Sequence, residues 1–241
     1  MKNIMQTFLL GLILVGCAQV AHFETSNDGQ IIETQISVSK AIDMNYLLYK
    51  PVDAAQKQQA LLLFLHGGGE GGDNPQAIKK HGPPKLIAEG KAFPFYVLAP
   101  QNPYKNGFWD DQAVYELLQK VIAEHNIDPT KIYLSGMSRG GYGAWRLAMN
   151  YPNIFAAMAV VCGASVPKAY AAKVKHIPIK LFHGEKDQVI PVSETIEMYN
   201  ALTALNADVT LTVYPEADHD SWTQTYQEDA LYDWFLSHSR D

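Results

Sequence analysis

Cysteine is nearly absent: the 241 residues hold only Cys17 and Cys162, so no disulfide framework staples this chain. Basic charge is also in deficit, with 19 Lys and Arg against 25 Asp and Glu and a net charge of −6. No basic stripe occurs, which argues against nucleic acid as a partner. The eight histidines are scattered, with neither H-E-x-x-H nor C-x-x-C spacing, so no catalytic metal is indicated. No internal repeat or low-complexity stretch divides the chain. The longest N-terminal apolar run, Phe8–Val15, is too short for an ordinary membrane-spanning helix.

That run has another meaning. Lys2 supplies a positive n-region and Phe8–Val15 an h-region, the layout of a bacterial secretion signal. It ends in Leu14-Val15-Gly16-Cys17, which resembles the lipobox of bacterial lipoproteins. The resemblance implies a signal peptide over residues 1–17 and a lipidated Cys17 as the new N-terminus. It also implies a polar tether over 18–29 and a location in the bacterial cell envelope, lipid-anchored on the periplasmic face or cell surface. The competing reading is a soluble secreted protein whose signal happens to contain Cys17. With Cys17 acylated, Cys162 has no disulfide partner, and its apolar surroundings Ala156–Cys162 suit a buried strand residue better than a nucleophile.

Residues 30–241 read as one α/β domain. Ile31–Val38 and Met44–Tyr49 look like a hairpin or edge pair. Ala60–Leu65 is a continuous apolar run suited to a strand buried on both faces. A helix is expected near Lys85–Glu89, a strand at Tyr96–Ala99 and a helix at Asp111–His125, with Asp110 or Asp111 as N-cap. Further strands are expected at Lys131–Ser135, Ala156–Val161, Ile179–Phe182 and Val209–Tyr214. Helices fall at Gly141–Met149, Pro167–Val174, Ser193–Leu202 with Ser193 as N-cap, and Tyr226–Leu236. This rhythm predicts a mostly parallel sheet with helices on both faces, whose ligand site lies at the strand carboxyl ends.

Ser138 stands at such an end, in Gly136-Met137-Ser138-Arg139-Gly140 between a strand and a helix. A serine on that sharp turn is exposed for attack, and the following helix aims its amide-rich N-terminus at the reacting group. A hydroxyl needs a base, and the base needs a group to hold its tautomer. His219 follows the strand Val209–Tyr214, and Asp187 follows Ile179–Phe182. Asp218 and Asp220 are rival acids, but sequence neighbours of a histidine seldom point at its ring. The glycine-rich His66-Gly67-Gly68-Gly69-Glu70-Gly71-Gly72-Asp73 follows the Ala60–Leu65 strand. It lacks the Gly-Lys-Ser/Thr ending of a phosphate-binding loop. Read instead as an oxyanion hole, it offers the N–H of Gly68, with that of Gly69 as the alternative, alongside the N–H of Arg139.

Leu65–Glu70, Gly136–Gly141, His183-Gly184-Glu185-Lys186-Asp187 and His219-Asp220-Ser221-Trp222 together resemble the α/β-hydrolase superfamily. His81-Gly82-Pro83-Pro84-Lys85 and Ala99-Pro100-Gln101 are similar to its esterase branch near polyhydroxybutyrate depolymerases, feruloyl and acetylxylan esterases and phospholipase/carboxylesterases. The resemblance covers nearly all of residues 30–241. It implies an α/β-hydrolase fold and a serine carboxylesterase acting by a Ser138-His219-Asp187 acyl-enzyme mechanism without a cofactor. The substrate it implies is an acyl or feruloyl ester on carbohydrate, polysaccharide included. Dienelactone hydrolases share much of the pattern but use a cysteine where this chain has Ser138. Two alternatives are a serine peptidase of the prolyl oligopeptidase type and a catalytically silent surface binding protein. Only Gly163 to about His176 separates two strands where many hydrolases insert a lid, so no cap domain and an open cleft are expected. Trp109, Tyr142 and Trp222 are candidates to line that cleft; packing roles are the alternative for Trp109 and Trp222, and Trp145 reads as core.

Overall fold

A computed structural model describes residues 41–240 apart from 56 and 165. The expected signal segment, Cys17, the tether and the strand Ile31–Val38 lie outside the described residues. Seven strands form one sheet: β1 (Tyr46–Tyr49), β2 (Gln59–Leu65), β3 (Tyr96–Pro100), β4 (Ile127–Met137), β5 (Ala157–Val161), β6 (Ile179–Gly184) and β7 (Val209–Tyr214). Their order is β1-β3-β2-β4-β5-β6-β7. Every pairing is parallel except β1 with β3, where Tyr46 faces Pro100 and Tyr49 faces Val97. The helices are α1 (Gly82–Ala88), α2 (Asp111–Glu124), α3 (Arg139–Asn150), α4 (Ser193–Ala204), α5 (Trp222–Gln227) and α6 (Asp229–Leu236), with 3-10 turns at Pro75–Lys80 and Lys168–Lys173.

β2 shows why the sheet is covered twice. Its side chains alternate between faces, as a strand's must. Leu61, Leu63 and Leu65 join one core with Val114, Leu118 and Val121 of α2, Trp145 and Leu147 of α3, and Met198 and Leu202 of α4. Leu62 and Phe64 join a second core with Tyr226 of α5 and Leu231, Tyr232 and Phe235 of α6. The apolar run Ala60–Leu65 of this strand therefore finds a core on either face, and each fully buried leucine contributes about 2 kcal/mol. This is the mostly parallel α/β sheet, helices on both faces, that the sequence predicts.

Several boundaries differ from expectation, each for a visible reason. β4 begins at Ile127, four residues before the predicted Lys131, because the sheet recruits it: Ile127 pairs with Gln59 across a register shift in β2. α1 starts at Gly82 rather than Lys85, with the prolines in its first turn, where their missing N–H costs no helical bond. Ser193 is not an N-cap; it is already helical, the cap position is Val192, and no side chain caps α4. The predicted closing helix Tyr226–Leu236 is broken at Glu228, whose backbone is extended. The Tyr232 hydroxyl donates to the Tyr226 carbonyl at 2.7 Å, occupying the acceptor that a continuous helix would use.

At the start of α2 the choice between two aspartates is resolved. The Asp110 carboxylate accepts from the N–H of Ala113 at 3.0 Å and caps the helix. Asp111 is the first helical residue and is buried against Arg146, 2.9 Å away, and Asn150, also 2.9 Å. Asp110→Ala is expected to lower the unfolding free energy by about 1 kcal/mol, with the urea m-value unchanged; equilibrium urea denaturation measures both.

Candidate active site

Ser138 joins β4 to α3 in a conformation that L residues rarely adopt, φ 52° and ψ −122°. Backbone bonds on both sides hold it there: its N–H donates to the Val161 carbonyl at 2.9 Å, and its own carbonyl accepts from Tyr142 at 3.1 Å. The turn also lies very close to β2. A Cβ on Gly140 would stand 2.0 Å from the Leu65 carbonyl oxygen, and one on Gly136 would stand 2.2 Å from that of Gly140. Only glycine permits this approach at either position. The half-buried serine is thereby raised above the carboxyl edge of the sheet.

Two further loops reach it. The Ser138 Oγ lies 2.9 Å from His219 Nε2, and His219 Nδ1 lies 2.7 Å from Asp187 Oδ2. Facing a carboxylate, Nδ1 carries the proton; Nε2 is left as acceptor for the serine hydroxyl. Asp187 Oδ1 accepts from the N–H groups of Val189 and Ile190, both at 2.8 Å. Burial alone would raise the Asp187 carboxyl, but the bonds from His219, Ile190 and Val189 and the charge of His219 hold it below the usual carboxylate range. The structure thus brings together the three residues that chain order selects. It also explains the rival acids. Asp218 Oδ1 accepts from the backbone N–H of Gln188 at 2.9 Å and of His219 at 2.8 Å, tying the loop after β7 to the loop after β6. Asp220 is turned toward the N–H and hydroxyl of Thr223, both 2.9 Å away.

The glycine loop after β2 runs past the serine turn. A Cβ on Gly67 would lie 3.6 Å from that of Ser138, and one on Gly68 would lie 2.9 Å from the Arg139 guanidinium, whereas nothing lies within 4 Å of the same position on Gly69. His66 anchors this loop: its Nε2 accepts from the N–H of Asn102 at 3.0 Å, so its Nδ1 donates to the Gly67 carbonyl at 2.7 Å.

Trp109 does not line the cleft. It is buried in the core, 4.7 Å from the His66 ring, and fits closely over Gly143, where a Cβ would meet its ring at 2.6 Å. Trp222 is at the site. Its ring stands edge-on to His219 at 5.2 Å, and its Nε1 donates to His81 Nδ1 at 3.2 Å, while its other side packs against the second core. Tyr142 is half-buried one helical turn from Ser138 and packs against the exposed Phe108 at 5.1 Å; Trp145 is core.

Residues not foreseen as part of the site are Glu70, His81 and His183. Glu70 is buried behind the glycine loop, 3.6 Å from His66 and 3.5 Å from His81. Burial pushes its carboxyl up, yet the neighbouring imidazoles of His66 and His81 bring it below its ordinary value. The motif His81–Lys85 was the one available signal for His81. Cys162 is the other surprise: its thiol, Asp187 and His219 offer ligand atoms within 4.8 Å of one another, the one such metal-capable group among the described residues. A metal could use them only by breaking the His219–Asp187 bond and ionising a thiol that burial pushes up to about 12.

The depressed Asp187 carboxyl carries a stability consequence. Its folded-state value lies below the unfolded one, so the stabilisation is complete above the ordinary carboxylate value of about 4 and is lost as pH falls through the depressed value. Asp187→Asn is expected to give a flatter dependence of unfolding free energy on pH below about 4 than the native chain. Urea titrations at a series of acidic pH values measure the two slopes.

Residues 91–231 match the phospholipase/carboxylesterase family. A bifunctional acetylxylan esterase/xylanase of Neocallimastix patriciarum is 31% identical over 149 residues, 59% of this chain and 21% of that protein. Poly(3-hydroxyalkanoate) depolymerase C of Paucimonas lemoignei is 26% identical over 147 residues, 54% of this chain and 34% of that one. The chain therefore spans between about a fifth and a third of the length of these two relatives. Among solved structures, a thermostable esterase superposes with a TM-score of 0.71 at 28% identity, covering 83% of this chain and 60% of that one. An acylaminoacyl peptidase of Pyrococcus horikoshii, at 17% identity and a TM-score of 0.65, shares the fold alone. With a match over more than half its residues, a mostly parallel sheet of the α/β-hydrolase type and a serine turn at the sheet's carboxyl edge, this chain belongs to the phospholipase/carboxylesterase family.

Proposed function

We propose that the chain is a serine carboxylesterase that removes acyl groups, acetyl or feruloyl, from carbohydrate. The observation that carries the mechanism is the unbroken line from Ser138 Oγ to His219 Nε2 at 2.9 Å and from His219 Nδ1 to Asp187 Oδ2 at 2.7 Å. Ser138 Oγ attacks the ester carbonyl carbon as its proton passes to His219 Nε2. Asp187, already ionised, stabilises the imidazolium so formed. The N–H groups of Gly68 and Arg139 receive the oxyanion, with α3 adding its N-terminal dipole. Collapse expels the alcohol, which takes the proton from His219. A water then repeats the sequence on the acyl-enzyme, releasing the acid and restoring Ser138.

The carbohydrate half of this reading is supported by two things. Between β5 and β6 the described residues hold only the 3-10 turn Lys168–Lys173, so no domain stands over the serine from that side and a chain-like substrate has room. Acetylxylan esterases also recur among the relatives. The lipid anchor is supported by Leu14-Val15-Gly16-Cys17 alone.

Ser138→Ala is expected to lower p-nitrophenyl acetate hydrolysis at least about 1,000-fold with an unchanged circular dichroism spectrum. A fluorophosphonate is expected to label the native chain and not the variant. Unchanged turnover, or no labelling of the native chain, would sink the assignment. Acetylated xylan, feruloyl arabinose and long-chain p-nitrophenyl esters run side by side decide the acyl and alcohol classes. For the anchor, Cys17→Ser is expected to move the protein from the membrane fraction to the soluble one; an identical distribution would remove the anchor from the reading.

A further inference from the structure

The residue after Ser138 brings a positive charge to the site as well as a backbone N–H. A Cβ on Gly68 would stand 2.9 Å from Arg139 Nη2, 3.0 Å from Cζ and 3.4 Å from Nε. Those distances are met above the plane of a guanidinium and not along its edge, so the flat face of the group covers Gly68. The missing side chain there is what admits it. Arg139 Nη1 donates to the Lys105 carbonyl at 3.0 Å. Lys105 lies in a braced turn. Asn102 accepts from the N–H of Tyr104 at 3.0 Å and donates to the Gly107 carbonyl at 3.0 Å, and the Gly107 N–H donates to the Tyr104 carbonyl at 3.1 Å. The guanidinium is thus held in place from two directions.

Its charge is not met. Arg146 pairs with Asp111 at 2.9 Å, and Arg240 donates to the carbonyls of Asn153 and Pro129. Among the described residues no carboxylate pairs with Arg139, although the chain carries a net charge of −6. Glu70, on the same glycine loop, faces His66 and His81 instead. Asp187 is taken up by His219, Val189 and Ile190. A half-buried guanidinium therefore lies beside the serine turn with most of its N–H donors unspent on described residues.

We propose that Arg139 is a specificity-determining residue of the esterase: its guanidinium takes a carboxylate that the substrate carries close to the scissile ester, on the sugar or on the acyl group. The proposal rests on the assignment of Ser138 and its oxyanion hole made above. A guanidinium offers paired N–H groups that match both oxygens of a carboxylate. Gly68 adjoins Gly67, whose Cβ position lies 3.6 Å from that of Ser138, so the charge sits within a few bonds' reach of the ester carbonyl. The substrate is then a uronate-bearing carbohydrate ester or a half-ester of a dicarboxylic acid.

An arginine that only held the glycine loop would alter the rates on charged and neutral esters alike. The test is kcat/KM on pairs matched in size and differing in charge. Mono-p-nitrophenyl adipate against p-nitrophenyl heptanoate reads the acyl side. O-acetylated methyl glucuronoside against O-acetylated methyl glucoside reads the alcohol side. The native chain, Arg139→Gln and Arg139→Lys are compared; each keeps the backbone N–H at this position. In the native chain the anionic member of at least one pair is expected to be preferred about tenfold, and that pair identifies the half that carries the carboxylate. Arg139→Gln is expected to abolish the preference, whatever it does to the two rates. Arg139→Lys is expected to keep part of it, as a point charge without the fork. Added salt is expected to weaken the native preference. Equal rates within both native pairs, or a preference that survives in Arg139→Gln, overturn the proposal and leave the Ser138-dependent esterase standing. If Arg139→Gln does not fold, a native preference indifferent to salt overturns it. Failure of the native chain to hydrolyse any of these esters sinks the esterase reading and this proposal together.

Discussion

The contact between Gly140 and the carbonyl edge of Leu65 is the constraint on which the site rests. Without a side chain at Gly140, β2 and the first turn of α3 meet backbone to backbone. That closeness places the glycine loop leaving β2 against the turn leaving β4. It also lets Ser138 stay in its unfavourable backbone region, since the residue cannot relax without pushing α3 into the central strand. The strain is held by β2, β4 and β5 together, the latter through the bond from Ser138 to Val161.

Asp187 and His219 come from the other half of the sheet, on loops with little regular structure, and their placement has separate causes. Gly184 allows the loop after β7 to cross β6, for a Cβ there would stand 2.2 Å from the Asp218 carbonyl oxygen. The Asp218 side chain then bonds to one backbone N–H on each loop. Asp187 and His219 are thus fixed relative to each other before either meets Ser138. Pre-organisation of this kind removes reorganisation from the reaction step.

What could be read from the residues follows from how locally each feature is determined. β2 and β5 were legible because strands buried on both faces must be apolar throughout, and Ala60–Leu65 and Ala156–Val161 are. Ser138, Asp187 and His219 were legible because each follows such a strand, and parallel topology gathers strand ends at one edge. The start of β4 was not, because Asp128-Pro129-Thr130 looks like a loop and only Gln59, far away in sequence, makes Ile127 a strand residue. The break at Glu228 depends on a tyrosine hydroxyl reaching back to a carbonyl. Trp109 precedes a helix cap, which fits a cleft or a packing position equally; the room over Gly143, far along the chain in α3, is what takes its indole inward. Glu70, His81 and Trp222 form a group only once loops 141 residues apart, as His81 and Trp222 are, have met.

Cys162 has a consequence of a different kind. A thiol within 4.8 Å of an acid–base pair is the arrangement that makes cysteine reactive in other settings. Here it is sealed from solvent and kept protonated. Peroxide and alkylating agents meet no thiolate there, and the proposed nucleophile is a hydroxyl, which neither disulfide exchange nor sulfenic acid formation can touch. On the proposed mechanism, no step at the Ser138 edge of the sheet depends on redox potential.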